Sequence, residues 1–375
     1  RAQEVFDMLV IRDVVSWNAL ITAYCEYGHG EEALNCYDRM RCDGVTPDAI
    51  SFMCSLKACS IIGDIEKGHE IYGEIFREGL FYKDLAIGNA VVTMYAECGF
   101  LREAIEVFDM LPVRDTISWN SLITGYANHE RGEDVLNCFN HMQHEGVSAN
   151  IVTFICVLKA CGSIGAGNQG TDIHAQIYKE GLLVGDIMIE NALIYMYAKC
   201  GMLERALDVL ENLPMRDMIS WTSLIAGYTD LGDSEIVLEI FERMIGEGIK
   251  PDSITLVGLL NACSHGGLVD QAQRYFKMMS IDYGINPTLQ HYTCIIDLFG
   301  RAGHLDKMLM MIEEMPFYPD LVLLQSVLDA CKKWGTTELG KMVFTKVTRF
   351  VEKDTSAYIP VYNNGTQMEV YAINH

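Results

Sequence analysis

Three groups of residues could do chemistry by type and spacing alone. Gly165-Ala166-Gly167-Asn168-Gln169-Gly170 matches G-x-G-x-x-G, which cradles a pyrophosphate when a strand precedes it and a helix follows. His141 and His144, three apart on an expected helix, could share a metal ion. Thirteen cysteines could act as ligands, nucleophiles or disulfide partners. Context argues against each. In phase with the glycine run stand Gly63 through Gly68 and Gly266-Gly267, so the run reads as a turn between two helices. The histidine pair has no third ligand nearby. The cysteines are odd in number and contain no C-x-x-C; Cys59, Cys161, Cys263 and Cys331 share one phase, Cys98 and Cys200 another, as small core-filling residues do. The zinc-deaminase signature, H-x-E with P-C-x-x-C, is missing. The expectation is no catalytic residue, no metal and no cofactor.

Composition narrows the class further. Half of the 375 residues are apolar, enough to bury a large core or several small ones. With 28 Lys+Arg against 51 Asp+Glu the formal charge is −23, and no basic run exceeds Lys332-Lys333. Bulk attraction to phosphate or to an anionic membrane is not expected. No apolar stretch nears the ~18 residues of a membrane span. Together with the cysteine pattern this predicts a soluble protein of a reducing compartment. Opening on Arg1, the chain reads as a processed or truncated piece.

What must position any site is an internal period. Trp17, Trp119 and Trp221 stand 102 apart, as do Ala58-Cys59, Ala160-Cys161 and Ala262-Cys263; Met94-Tyr95 repeats as Met196-Tyr197. Each period divides into 35, 36 and 31 residues: 14–48, 49–84 and 85–115, then 116–150, 151–186 and 187–217. A third round covers 218–252, 253–288 and 289–320, and a tenth repeat occupies 321–354. Every repeat reads as two helices. Trp17, Leu20, Ile21 and Tyr24 follow i, i+3, i+4, i+7; Gly28 interrupts; Ala33, Tyr37 and Met40 form a second stripe that ends near Gly44 with Pro47 beyond. A single hairpin cannot bury its stripe alone, so neighbours must stack into an all-α solenoid of about ten helix-turn-helix repeats with a concave groove.

The pattern Trp17-Asn18-x-Leu20-Ile21, Gly28, Ala33-Leu34, Tyr37, Met40, Gly44, Pro47-Asp48 resembles the pentatricopeptide repeat, and Met40, Met142 and Met244 separate it from the tetratricopeptide repeat. The 35, 36 and 31 alternation resembles the P, L and S repeats of the plant PLS subclass. The resemblance makes 1–13 the tail of a cut S repeat, 321–354 an E-like extension motif, and 355–375 a divergent or truncated tail in which Asn363-Asn364-Gly365 departs from the family. It implies a right-handed superhelix without the family's terminal deaminase domain.

Family members bind single-stranded RNA, one repeat per base, N-terminus toward the 5′ end. The fifth and last residues of a repeat read the base. The last residue can sort bases by chemistry: uracil and guanine present a ring N–H, which suits Asp, whereas cytosine and adenine present a ring acceptor, which suits an Asn amide. A longer Asn at the fifth position reaches a pyrimidine, and a shorter Thr leaves room for a purine. The resemblance thus pairs Asn18 with Asp48, Asn89 with Asp115 and Asn191 with Asp217 for U, Asn120 with Asn150 for C, and Thr222 with Asp252 and Thr293 with Asp320 for G. Val15, Ala86, Ile117, Met188, Ile219 and Gln290 would wedge between bases. Met53, Ile155 and Val257 leave the L repeats as spacers or weak contacts. The implied target is 5′-UxUCxUGxG-3′. Glu130 and Ala149 replace the usual Gly and Pro in the second P repeat. The residues alone are also compatible with helix caps and turns.

The resemblance implies a site-recognition factor for C-to-U editing in a mitochondrion or chloroplast, with auxiliary editing factors and a deaminase-bearing protein as partners and no membrane. Splicing, stability or processing of organellar RNA is the alternative. Because most nucleic-acid binders are basic, −23 also keeps open a helical scaffold for protein partners. The RNA reading requires the acids, among them Glu31, Glu32, Glu103 and Glu204, to lie on the second helices.

Overall fold

The computed structural model describes residues 2–183, 186–335, 359–363 and 367–371. They fall into two compact bodies, Arg1–Met202 and Leu203–His375. The first begins with α1 (Ala2–Asp7) and continues as hairpins α2 (Val14–Glu26) with α3 (Gly30–Cys42), α4 (Ala49–Ile62) with α5 (Ile65–Arg77), α6 (Leu85–Glu97) with α7 (Leu101–Asp109), α8 (Thr116–Asn128) with α9 (Gly132–His144), α10 (Ile151–Ile164) with α11 (Gly167–Lys179), and α12 (Ile187–Lys199). The second holds α13 (Leu203–Asn212), then α14 (Met218–Asp230) with α15 (Ser234–Gly246), α16 (Ser253–Gly266) with α17 (Val269–Ile281), α18 (Leu289–Ala302) with α19 (Leu305–Glu314), and α20 (Leu321–Trp334). Between residues 2 and 335 the described elements are helices alone. The tail was expected only to diverge from the family or to be cut short, with no element assigned to it. Instead its backbone forms strands β1 (Ile359–Asn363) and β2 (Gln367–Tyr371), antiparallel, with Ile359 opposite Tyr371. Residues 336–354 of the expected extension motif lie outside the described residues.

The three repeat lengths have a local origin. The 36-residue repeats have first helices of 14 residues where the 35-residue repeats have 13. The 31-residue repeats shorten the second helix, to 9 residues in α7 and 10 in α13, and the 32-residue repeat 289–320 does the same with 10 in α19, against 13 in α3. Within each body every first helix packs on the next first helix, α2 on α4, α4 on α6 and onward to α12, and likewise α14 on α16, α18 and α20. Small residues permit the approach: a Cβ on Gly125 would run into Ala96, and one on Gly300 into Ala330. Second helices reach one another through long side chains, such as Arg41 to Glu74 at 2.8 Å and Lys67 to Asp38 at 3.0 Å. A stack held close on one side and bridged at a distance on the other puts the first helices on its inner face.

The core is the expected stripe. Trp17, Ile21, Tyr37 and Met40 are buried, as are Trp119 and Trp221. Cys59, Cys161 and Cys263 are buried too, and burial pushes their thiols up to about 12, which leaves them protonated and unreactive near neutrality. Gly165 is the left-handed cap that ends α10, while Gly167 and Gly170 belong to α11, so the glycine run is a helix-to-helix turn. His141 and His144 sit exposed at the end of α9, and no cluster of three metal-binding side chains occurs among the described residues.

One turn carries strain. Gly28 and Gly232 join their hairpins with φ of +74° and +78°, and at the equivalent place Glu130 adopts φ +56°. A side chain there costs about 1–2 kcal/mol, partly offset by the lower unfolded-state entropy of a non-glycine residue. Glu130→Gly is therefore expected to stabilise the chain by about 0.5–1 kcal/mol, seen as a higher midpoint in urea unfolding.

Candidate nucleic-acid interface

Each repeat's last residue caps the first helix of the next. Asp48, Asp115, Asn150, Asp217 and Asp252 all adopt extended backbone at the N-cap and accept the backbone N–H three residues on. The distances run from 2.8 to 3.1 Å. In every case the accepting atom is Oδ1. The helix start thereby assigns Oδ1 of the side chain to structure.

The fifth residue joins this cap from the neighbouring first helix. Asn18 Nδ2 donates to Asp48 Oδ1 at 2.9 Å, and Asn120 Nδ2 to Asn150 Oδ1 at 2.9 Å. Asn89 Nδ2 reaches Asp115 Oδ1 only at 3.5 Å, and Asn89 Oδ1 is buried without a partner. Thr222 meets the Asp252 cap through the Thr255 hydroxyl. Burial alone would raise the Asp48 carboxyl, but the Ser51 N–H, the Asn18 amide and the Ser51 hydroxyl hold it below the usual carboxylate range. Ser118 and Asn89 do the same for Asp115. Both are ionised at neutral pH, and their uncapped oxygens are acceptors. In Asn150 the cap fixes Oδ1, so the remaining polar atom is the Nδ2 donor. At Asp48, Asp115 and Asn150 the cap is thus held through Oδ1.

The last pair departs from this pattern. Asp320 caps α20 through the Leu323 N–H at 2.8 Å, whereas the Thr293 hydroxyl donates back to Leu289 O at 2.9 Å. The two are not hydrogen-bonded to each other, because the third residue of the following helix is Leu323, which has no hydroxyl to bridge them. At the L-repeat ends Asp84 and Asp186 cap differently, accepting the N–H two residues on, at Ala86 and Met188. Thr288 caps α18 with His291, whose Nδ1 accepts the Thr288 N–H at 3.1 Å; its Nε2–H then donates to Ser253 O at 3.0 Å. Burial lowers the pKa of this imidazole and keeps it neutral.

The expected wedge residues stand clear of the surface. Val15 is 69 % exposed, Ile117 62 %, Met188 63 % and Ile219 55 %, and Ala86 and Gln290 are exposed too. Sequence reasoning missed the same position in the remaining repeats: Ile50, Val152, Ile254 and Val322 are also exposed. The signal was available, since each is the second residue of its helix. Met53, Ala86, Asn89, Asp115 and Ile117 line one open cavity of about 410 Å³, with Lys57 at its edge, so in this repeat the wedge and reading positions share a pocket.

Charge separates by layer. The ten first helices, α2 to α20, carry six acids (Glu26, Glu97, Glu190, Asp230, Asp297, Asp329) and six bases (Lys57, Lys159, Lys199, Arg301, Lys332, Lys333). The nine second helices, α3 to α19, carry 22 acids, Glu31, Glu32, Glu103 and Glu204 among them, against 11 bases. Beyond the cap carboxylates, the inner layer is neutral and the acid excess lies outside.

Comparison with known proteins gives this geometry a family. The pattern of the PPR repeat family matches residues 12–61, 114–163 and 216–265. That of the PPR repeat matches 89–115, 191–218 and 291–317, and that of the pentatricopeptide repeat domain matches 246–302. The Arabidopsis thaliana pentatricopeptide repeat-containing protein At4g33990 is 40% identical over 341 residues, 91% of this chain and 41% of the relative. The mitochondrial At2g22410 is 33% identical over 389 residues, 96% of this chain and 57% of its own length. The chain thus spans about half the length of these curated relatives. In fold it matches the pentatricopeptide repeat protein PPR10 solved in complex with an 18-nt psaJ RNA element, with a TM-score of 0.68 at 15% identity over 93% of this chain and 56% of that one. With the family patterns together covering well over half of its residues, the chain belongs to the pentatricopeptide repeat family.

Proposed function

We propose that the chain binds single-stranded RNA along its first-helix face and specifies the site of C-to-U editing in an organellar transcript. The observation that carries the base-reading part is the division of labour at the caps: Oδ1 starts the helix, and the other atom presents an acceptor in Asp48 and a donor in Asn150. The balance of six acids and six bases on the first helices, against the acid excess of the second helices, supports RNA over an acid-seeking protein partner. Support for the editing role is the PLS-like alternation of 35, 36 and 31 residues, with 14–320 as the array and 321–354 as the extension motif. A deaminase-bearing protein and auxiliary factors would supply the chemistry. Several relatives are mitochondrial by name, which supports that organelle.

The test is a fluorescence-anisotropy titration of the chain with 5′-UxUCxUGxG-3′ and a scrambled probe, over a range of salt. The targeted probe should bind, and the scrambled one should bind at least ~10-fold more weakly. Equal binding of both, or none at low salt, would sink the reading. Lys57 and Lys159 stand 102 residues apart at the same phase of their first helices and are exposed. Lys57→Ala is expected to weaken both probes alike and to flatten the slope of log K against log salt by about 0.7, the value for one phosphate contact to a single strand.

A further inference from the structure

We infer that the third residue of each 36-residue repeat, Ser51, Thr153 or Thr255, is a positioning residue for base reading by the repeat before it; the inference rests on the RNA-binding reading. The three hydroxyls are fully buried and recur 102 residues apart. Ser51 Oγ lies 2.6 Å from Asn18 Oδ1 and 3.0 Å from Asp48 Oδ1. Thr153 Oγ1 lies 2.6 Å from Asn120 Oδ1 and 3.1 Å from Asn150 Oδ1. Thr255 Oγ1 lies 2.7 Å from Thr222 Oγ1 and 2.7 Å from Asp252 Oδ1.

A hydroxyl has one proton to give. At Ser51 it goes to Asn18 Oδ1, the shorter contact, because Asp48 Oδ1 already accepts the Ser51 N–H and the Asn18 amide. The amide of Asn18 is then pinned at both ends, oxygen on Ser51 and nitrogen on Asp48. Flipping it would set its oxygen against a carboxylate. Asn120 is held likewise by Thr153 and Asn150, where a flip would set its oxygen against the Asn150 amide oxygen. The reading pair is thus fixed in orientation before any base arrives, and no ordering remains to be done on binding.

Four other junctions have no hydroxyl at this place. After the 36-residue repeats the third residue is Ile87, Ile189 or His291, and after Asp320 it is Leu323. Ser118 holds the Asp115 cap at 2.8 Å but leaves Asn89 Oδ1 without a partner. The L repeats, whose own fifth residues are apolar, serve the P repeat that precedes them.

The test compares Ser51→Ala and Ser51→Thr in the full chain, with Thr153→Val and Thr153→Ser as a second pair should the first fail to fold. Anisotropy gives the affinity ratio of U over C at the first base and of C over U at the fourth; ¹⁵N-asparagine NMR follows the side-chain amide of Asn18. Ser51→Ala should cut the first ratio by about tenfold, leave the fourth unchanged and move the Asn18 amide toward its free shift. Ser51→Thr should keep all three. An unchanged first ratio, an equal fall in both ratios, or an Asn18 signal that stays in place would each overturn the inference. If the wild type binds no probe, base reading fails, and the Asn18 signal still decides whether the hydroxyl holds the amide.

Discussion

Asn150→Asp is expected to reverse the preference of its repeat, from C over U to U over C, without weakening the fold. The substitution transplants a geometry already present at Asp48. The cap needs an oxygen, and Asp supplies it, so the Thr153 N–H and the Asn120 amide keep their partner. Only the remaining polar atom changes, from an amide donor to a carboxylate acceptor. Facing cytosine's ring nitrogen, that acceptor meets another acceptor. Facing uracil's ring N–H, it forms a charge-assisted bond. Leaving one such group unpaired against the base costs about 1–3 kcal/mol, so each ratio should move by about tenfold or more. Competitive titration with two probes differing only at the fourth base measures both. A mutant that loses affinity for both bases would mean that Asn150 acts as a cap and nothing else. One that still prefers C would mean that the register is wrong.

The sequence made the helical hairpins legible because three landmarks, Trp17, Ala58-Cys59 and Met94-Tyr95, recur in step. Buried stripes tolerate few residue types, so the period survives where packing enforces it. The cap residues were legible as types, Asp or Asn before a helix, but the atomic arrangement at each cap was not. It depends on which oxygen takes the backbone N–H, and that is settled by extended backbone at Asp48 and by the approach of Asn18 from a helix 30 residues away. The bridging hydroxyls were hidden for a related reason. Ser51 alone is an ordinary capping-box residue; only the stacking of α2 on α4 brings its oxygen to Asn18. The charge layering lay between these cases. The acids could be assigned to second helices from the pattern, but which helices form the inner row follows from small residues such as Gly125 and Gly300 meeting Ala96 and Ala330. Thr293 and Asp320 show the limit of carrying a pattern over by position. The types are right, yet Leu323 replaces the hydroxyl that bridges the equivalent pair at Thr222.

Trp221→Ala should destabilise the second body by about 3–5 kcal/mol, the largest single-residue effect expected in it. The indole is fully buried on α14, and the Arg243 guanidinium lies 5.5 Å over its ring. In a stack of short hairpins each repeat contributes little stability of its own and depends on its neighbours. Losing this ring should therefore uncouple α14 and α15 from the helices around them, and unfolding would no longer be a single transition. Trp221→Phe separates the ring's packing from its polar atom. The Nε1–H is buried with no hydrogen-bond partner, a group that costs about 1–3 kcal/mol to hold out of water. Phe removes that group and keeps an aromatic face, so its penalty should be less than half that of Ala in urea unfolding. Hydrogen exchange across α14–α15 should rise strongly in the alanine variant and little in the phenylalanine one. Because the ring faces the core, Trp221→Phe should bind RNA as the wild type does. A folded phenylalanine variant that loses RNA affinity would instead make the indole a stacking surface, and an alanine variant within about 1 kcal/mol of wild type would remove Trp221 from the core.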